Sequence, residues 1–337
     1  MFLSICIPNY NRTHCLNNCL HAIYLSKKNF DHEFEVCISD NCSTENVEKV
    51  INFYKDKINI NFKKNRENIG LGKNILEAVS MAKGDYAWIL GNDDFILPNT
   101  LEKLHKLVTT NSEVDYFFIN NYELNSEYVF NCKQPFNTND LPQNMKKWSR
   151  LNHSKSLKFF EIIKPDISWD FLMGMFLSVF KRKKWVENSH VIDQRLISDK
   201  KLFSNVDNTY PHVKIFAHAF SKSKAYYQAD PLLIALRGER EWEYLYNYIE
   251  IIRIPEVLDL YRKMGMPFLQ YLYCKNYALR NFVSYLIKIL FYKGETGLKY
   301  INFRKHIFNN LLFPNVYLSF FYFIFRKISK FALINKK

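Results

Sequence analysis

Four short apolar runs within the first 110 residues are each stopped by a polar turn and followed by a segment of helical spacing, and this alternation leaves few folds open. Leu3 to Ile7 is stopped by Pro8, after which Leu16, Leu20 and Ile23 recur at helical intervals over Arg12 to Leu25. Phe34 to Ser39 ends at Asp40-Asn41, and Ser43-Thr44-Glu45 supplies the hydroxyl caps and early acid of a second helix. Ile58 to Phe62 precedes a helix from about Leu71 to Ala82. Tyr86 to Leu90 runs into Gly91-Asn92-Asp93-Asp94, with Pro98 expected at the first position of the next helix. Strands joined by crossover helices require a mostly parallel sheet, and such sheets gather ligands beyond the carboxyl ends of their strands.

Three polar clusters therefore face one edge: Pro8 to Arg12, Asp40 to Ser43, and Asn92 to Asp94. Asp40-Asn41 before Ser-Thr also reads as a turn and helix cap. Asp93-Asp94 is harder to explain as a turn alone. Adjacent carboxylates repel unless a cation or solvent relieves them, and hard oxygen ligands suit Mg²⁺ or Mn²⁺ held jointly with a diphosphate.

The run Ser4-Ile5-Cys6-Ile7-Pro8-Asn9-Tyr10-Asn11-Arg12, then Ile38-Ser39-Asp40-Asn41-Cys42-Ser43, then Asn68-Ile69-Gly70 with Asn74, then Gly84-Asp85-Tyr86 leading to Gly91-Asn92-Asp93-Asp94, resembles glycosyltransferase family 2. The likeness covers roughly residues 1–125. The Gly-Asn-Asp-Asp form and the stretch from Gln228-Ala229-Asp230-Pro231-Leu232 to Trp242 are most similar to its abequosyltransferase-like bacterial branch. The resemblance implies an α/β chain of GT-A fold, Rossmann-like, with a mostly parallel central sheet flanked by helices. It also implies a nucleotide-diphosphate-sugar donor, a UDP-sugar being favoured, with Mn²⁺ or Mg²⁺ and inversion at the anomeric carbon.

Carried over residue by residue, Pro8, Tyr10 and Arg12 match the loop around base and ribose, and Asp40 the carboxylate that reads the base. Gly70 and Asn74 match the turn beneath ribose and diphosphate, beside a Lys73 read as a solvated helix lysine. Asn92, Asp93 and Asp94 match the family's Asp-x-Asp, with Asn in place of the first acid. Asp94 is the first choice as metal ligand and Asp93 the second. The family's acidic base has no counterpart in Thr209-Tyr210-Pro211-His212-Val213, so His212 takes its place, with Asp207 and Asp193 as nearby carboxylates. Phe171 to Phe180 is expected as a strand walling the acceptor side. Trp169, Asp170 and Trp242 read either as core or as sugar contacts, and 122–165 as a long excursion.

Charge separates the remainder of the chain. Of the formal +14, residues 245–337 hold +11, from 15 Lys and Arg against 4 Asp and Glu, and the first 244 hold +3. Tyr277, Phe282, Tyr285, Leu286, Ile289 and Leu290 recur at helical spacing among Arg280, Lys288 and Lys293. Val316 to Phe325 is apolar except for Ser319 and precedes Arg326, Lys327 and Lys330. Ten residues is half the roughly 20 a bilayer requires, so an interfacial helix on an anionic membrane surface is expected, with packing onto the catalytic domain as the rival. No nucleic-acid signature accompanies the charge. Seven cysteines without paired spacing point to neither disulfides nor zinc, and the first residues lack a signal-peptide pattern, so a reducing cytoplasm is expected.

The expected organisation is a GT-A glycosyltransferase domain over 1–244, with a nucleotide-sugar half (1–120) and an acceptor half (121–244). A helical, basic-aromatic, membrane-associating region follows over 245–337. The expected function is an inverting transfer of sugar to a glycan or lipid-linked acceptor in bacterial lipopolysaccharide, O-antigen or capsule synthesis, peripheral on the inner face of the cytoplasmic membrane. Association with further copies of the chain stays open. The alternative is a catalytically impaired nucleotide-sugar-binding or scaffold protein of the same fold, suggested by Asn92 and the missing acidic base. A nucleotidyltransferase would want a Gly- and Lys-rich loop after the first strand, which Asn9-Tyr10-Asn11-Arg12 does not supply.

Overall fold

In the computed structural model of the protein, residues 1–28, 30–238 and 242–334 are described, with side chains through residue 325. The chain forms two compact units, Met1–Leu202 with Asp207–Arg240, and Phe203–Val206 with Glu241–Lys337.

The first unit opens with strict alternation: β1 (Leu3–Asn9), α1 (Thr13–Lys27), β2 (Phe34–Asp40), α2 (Val47–Tyr54), β3 (Ile60–Lys64), α3 (Leu71–Ser80) and β4 (Tyr86–Ile89). There follow β5 (Asp94–Ile96), α4 (Thr100–Thr110), β6 (Tyr116–Asn125), β7 (Lys146–Lys147), β8 (Lys155–Lys158), β9 (Ser178–Lys181) and β10 (Lys224–Arg237). Among the described residues these strands form one sheet, ordered β3-β2-β1-β4-β9-β6-β10-β5, with β7 on β6 and β8 on β10. β1 to β4, β6 and β10 run in one direction, while β5, β7, β8 and β9 run against them. Every residue of β1 and β2 is buried, as expected of parallel strands covered on both faces, so their sequences read as apolar runs without alternation. Ile5, Ile7, Val36, Ile38 and Trp88 lie in the core beneath the edge where the strands end.

Several sequence expectations change here. Pro8 does not stop β1, which pairs on to Asn9, and Asn46 rather than Ser43 or Thr44 caps α2. Pro98 does not open a helix, because residues 94–96 are spent on β5, paired with β10, and α4 begins at Thr100 behind Asn99. Phe171 to Phe180 is not one strand. Ser168 and Asp170 tie the backbone into a turn, Phe171 and Leu172 adopt left-handed φ of 57° and 71°, and only Ser178–Lys181 pairs as β9.

The second unit is helical, with Ile254–Lys263, Phe268–Ala278, Phe282–Phe291 and Pro314–Ile334 as its longer helices. Buried Arg253 pairs with the half-buried Glu256 inside it, and His306 joins Glu256 at 3.0 Å. Trp242 packs edge-on against Phe203 in this unit, a core contact. No single helix among the described residues is long and apolar enough to cross a membrane. Phe303–Leu312 and Pro314–Phe325 reach that length and composition only together, across a 92° bend.

Candidate functional site

The parallel strands β1, β2 and β4 deliver their last residues to one edge, and a chain of side-chain amides joins them there. Asn9 and Asp40 stand opposite each other in register. The Asn9 Nδ2 donates to Asp40 Oδ1 at 2.7 Å, and Asn92 Nδ2 donates to Asn9 Oδ1 at 2.8 Å. Asn9, Asp40 and Asn92 are all buried, so each bond is worth keeping and costly to leave unmade. Because Asn9 has given its amide hydrogen to Asp40, its oxygen needs a donor from residue 92. An amide supplies one and a carboxylate could not, which accounts for Asn where the family pattern has Asp.

The loop after β1 is latched to the loop after β2. Asn11 and Arg12 take successive left-handed φ of 51° and 57°, a strained pair for residues other than glycine. Ser43 Oγ accepts from the Asn11 N–H at 2.6 Å and donates to Asp40 at 2.5 Å. Glu45 accepts from the N–H groups of Thr13 and Arg12 at 2.6 and 3.1 Å, at the amino end of α1. These bonds, those from Thr13 foremost, hold the Glu45 carboxyl below its ordinary pKa. Tyr10 is left exposed on the loop so fixed. Arg12 reaches the third cluster, its guanidinium lying 3.0 Å from Asp93 Oδ2.

The carboxylates at the end of β4 have different positions. Asp94 is buried, and its Oδ2 accepts from the Gly91 N–H at 2.9 Å, closing the turn on itself. A Cβ at Gly91 would stand 2.6 Å from that oxygen and 2.8 Å from Asp93 Oδ1, so the turn needs glycine there. Asp93 is the carboxylate that points outward, with its side chain 22% exposed. The two carboxylates thus differ: Asp94 closes the turn, and Asp93 is the more exposed. Among the described residues no group of three or more His, Cys, Asp or Glu converges. The donor set fits a hard divalent ion that takes one protein carboxylate, Asp93, and completes its shell from diphosphate and water.

Asp40 carries three hydrogen bonds, from Asn9, Ser43 Oγ and the Ser43 N–H, leaving about one of a carboxylate's four acceptor positions open. Asn74 is fully engaged inside. Its Oδ1 accepts from Ser39 at 2.7 Å and Asn65 at 3.1 Å, and its Nδ2 donates to the Ser39 and Asn9 carbonyls at 3.0 and 3.2 Å. It therefore fastens α3 to β1 and β2 rather than facing a ligand. Gly70, at φ 86°, has no atom within 4 Å of where a Cβ would be, so open space lies over the uncapped first turn of α3. Lys73 is half-buried on that turn. Asn68 Oδ1 accepts from Asn41 and from the Gly70 N–H, both at 2.9 Å, and holds the entry to the helix.

The expected base does not have a base's surroundings. His212 follows Pro211 at the start of helix Pro211–Phe220, as the sequence predicts. Its Nε2 lies 3.2 Å from the carbonyl oxygens of both Leu172 and Met173, so that nitrogen carries the proton. Nδ1 is buried without a partner. Burial pushes the imidazole down to about 4. His212 is thus a sealed neutral donor that pins the left-handed turn at Phe171 and Leu172. Asp207 is buried, accepting from Lys214 at 2.7 Å and from the Asp193 N–H at 2.8 Å. Asp193 is the exposed cap of the turn Gln194–Ile197. A Cβ on Gly72 would lie 3.0 Å from the Asn208 carbonyl oxygen, so the residue after Asp207 packs on the first turn of α3.

On the acceptor side Trp169 lies over Trp148 with centroids 4.4 Å apart. Asp170 is buried beneath them, accepting from Ser168 at 2.8 Å and the Gly174 N–H at 2.6 Å, and burial raises its carboxyl. Sequence reasoning placed Asn9, Asn11 and Asn41 in the polar clusters without giving them a role, and passed over Trp148. Asn9 had the clearest signal, since it directly follows an apolar strand and aligns with the Asp40 position of the next.

The sequence pattern of glycosyl transferase family 2 matches residues 4–178. The chain is 27% identical over 245 residues to the abequosyltransferase RfbV of Salmonella typhimurium, 72% of this chain and 68% of that one. It is 31% identical over 104 residues to the poly(ribitol-phosphate) beta-N-acetylglucosaminyltransferase TarS of Staphylococcus aureus, which spans 30% of this chain and 18% of TarS. The crystal structure of S. aureus TarS 1–349 in complex with UDP-GlcNAc superposes with a TM-score of 0.62 at 17% identity, over 92% of this chain and 80% of that one.

Proposed function

This chain belongs to glycosyltransferase family 2 and has the GT-A fold, and from that premise we propose that it is an inverting transferase moving a sugar from a nucleotide-diphosphate-sugar donor to a glycan or lipid-linked acceptor. The setting is bacterial surface polysaccharide synthesis at the inner face of the cytoplasmic membrane, a reading that the similarity to an abequosyltransferase supports. The observation that carries the proposal is the amide chain Asp40–Asn9–Asn92, which with the Arg12–Asp93 pair draws three strand ends into one polar edge.

In this reading Tyr10 and Arg12 flank the nucleoside, and buried Pro8 and Asp40 lie beneath them at the ends of β1 and β2, Asp40 holding the loop through Ser43. The open turn at Gly70 and the uncapped amino end of α3 accept the diphosphate, whose charge suits free N–H groups and a positive helix end. Asp93 would hold Mn²⁺ or Mg²⁺, which when bound supplies positive charge against the negative charge that builds on the departing diphosphate. Arg12 stands beside the same position with a second positive charge. With His212 sealed, the proton of the attacking hydroxyl falls to a carboxylate. The two nearby are Asp207, which is buried and paired with Lys214, and Asp193, which is exposed at the start of the turn Gln194–Ile197. Asn92 has a structural reason in the Asn9 amide, so its presence gives no support to an impaired enzyme.

The test is a thermal-stabilisation screen of UDP-, CDP-, GDP- and dTDP-sugars, each with and without Mn²⁺ or Mg²⁺. One nucleotide class should raise the melting temperature, and more so with metal. A screen in which no nucleotide sugar stabilises the protein overturns the proposal. Stabilisation with no transfer to any membrane-derived acceptor would restore the scaffold reading.

A further inference from the structure

Through residue 325 the last helix of the second unit buries Val316 and Ser319 and turns large apolar residues outward. Ser319 is 3% exposed, its hydroxyl accepting from the Val283 N–H at 3.1 Å and donating to the Val316 carbonyl at 2.7 Å. On its outward face Phe321, Tyr322 and Phe325 are 56, 68 and 66% exposed. The same reversal recurs where helix Phe282–Phe291 ends, with Phe291 at 79%, and before the final helix, with Leu312 at 87%. A helix flanked by water turns its polar residues outward, and a contiguous apolar surface of this kind marks a contact face.

We propose that this face of the second unit lies on the surface of an anionic lipid bilayer. The inference rests on the membrane setting proposed above and names the surface that makes the contact. Charge identifies the occupant: residues 245–337 carry +11, and Lys288 and Lys293 are exposed in and just after helix Phe282–Phe291, Lys288 over the Tyr285 ring. Anionic headgroups complement that charge, whereas a second copy of the chain would bring the same positive charge to the contact. Depth follows from length. The two apolar segments meet at 92°, and no single helix among the described residues is both long and apolar enough to span, so the face is assigned to the interfacial layer, where Tyr and Phe rings at the headgroups are favourable.

The experiment is sedimentation of the full chain with phosphatidylcholine vesicles carrying none or about 30% phosphatidylglycerol. The protein should sediment with the anionic vesicles and should be released as salt rises. The variant Phe291→Glu/Leu312→Glu/Phe321→Glu should lose binding by about tenfold or more. Each position is exposed, so its melting temperature and its stabilisation by nucleotide sugar should match the parent protein. The variant Lys288→Glu/Lys293→Glu should lose mainly the part of binding that depends on phosphatidylglycerol. Undiminished sedimentation of both variants overturns the proposal. So does a protein that ignores vesicles but is a dimer in solution and becomes monomeric in the triple variant. Vesicle binding without any nucleotide-sugar stabilisation would instead sink the transferase reading and leave this one standing.

Discussion

Asn9 and Asp40 face each other across the β1–β2 pair and are joined by a 2.7 Å hydrogen bond from side-chain amide to carboxylate. The other half of the same amide receives Asn92 from the end of β4. One side chain thus fixes the spacing of the strand ends between which the donor is proposed to sit.

Asn9→Leu should therefore damage more than one turn. It leaves a buried donor on Asn92 and removes one from Asp40, a loss of about 1–3 kcal/mol in urea unfolding. Nucleotide-sugar affinity should fall as well, because the base and diphosphate ends of the cleft lose their common support. A variant as stable as the parent would show that the amide chain has no structural weight.

Asp93→Asn and Asp94→Asn should separate cleanly. The first should lower transfer by about a hundredfold or more and abolish the metal-dependent part of donor stabilisation, with the melting temperature nearly unchanged. The second should lower the melting temperature, since a neutral amide holds the Gly91 N–H less well than the Asp94 carboxylate. Equal kinetic losses at unchanged stability would mean that both carboxylates face the ligand.

His212 should reveal itself in stability against pH rather than in the rate. Its imidazole titrates near 6.5 when unfolded and at about 4 when folded, so the unfolded chain takes up the proton first. Its contribution is full above pH 6.5 and is lost as pH falls toward 4, by about 3 kcal/mol at most. In His212→Gln that part of the pH dependence should vanish, while transfer at neutral pH survives at a reduced rate. Of Asp207→Asn and Asp193→Asn, the one that removes the proton acceptor should instead stop turnover and keep donor binding. A His212→Gln protein with no turnover and an unaltered stability profile would return the proton-accepting role to the histidine.

Gly91→Ala and Gly70→Ala test two different uses of glycine. At Gly91 the new methyl group meets Asp94 and Asp93 oxygens inside 3 Å, so the turn must open and donor binding should collapse. At Gly70 there is no clash, only the cost of a left-handed φ, about 1–2 kcal/mol. Circular dichroism melts and donor titrations on both proteins distinguish steric from conformational damage.

The alternation of strand and helix, the parallel edge and the polar residues on it were legible because each depends on neighbours a few positions apart. Period, caps and breakers act locally, so Leu3, Phe34 and Tyr86 open strands where their own segments predict them. The expected strand through Phe171 failed for a related reason. Its apolar run was read without Ser168 and Asp170, whose side chains turn the backbone before pairing can begin.

What the sequence determined by itself was which chemical groups stand at the strand ends. Which of those groups meet a ligand was decided only in three dimensions. Asp93 and Asp94 are neighbours with the same side chain, yet the fold buries one against Gly91 and leaves the other beside Arg12. His212 loses its basic character to burial, while its Nε2 proton is held by carbonyls 40 and 39 residues away. Ser319 and Phe321 exchange the sides that their polarity would assign in water. Burial and hydrogen-bond partnership belong to what packs around a residue, and the atoms that pack there come from distant parts of the chain.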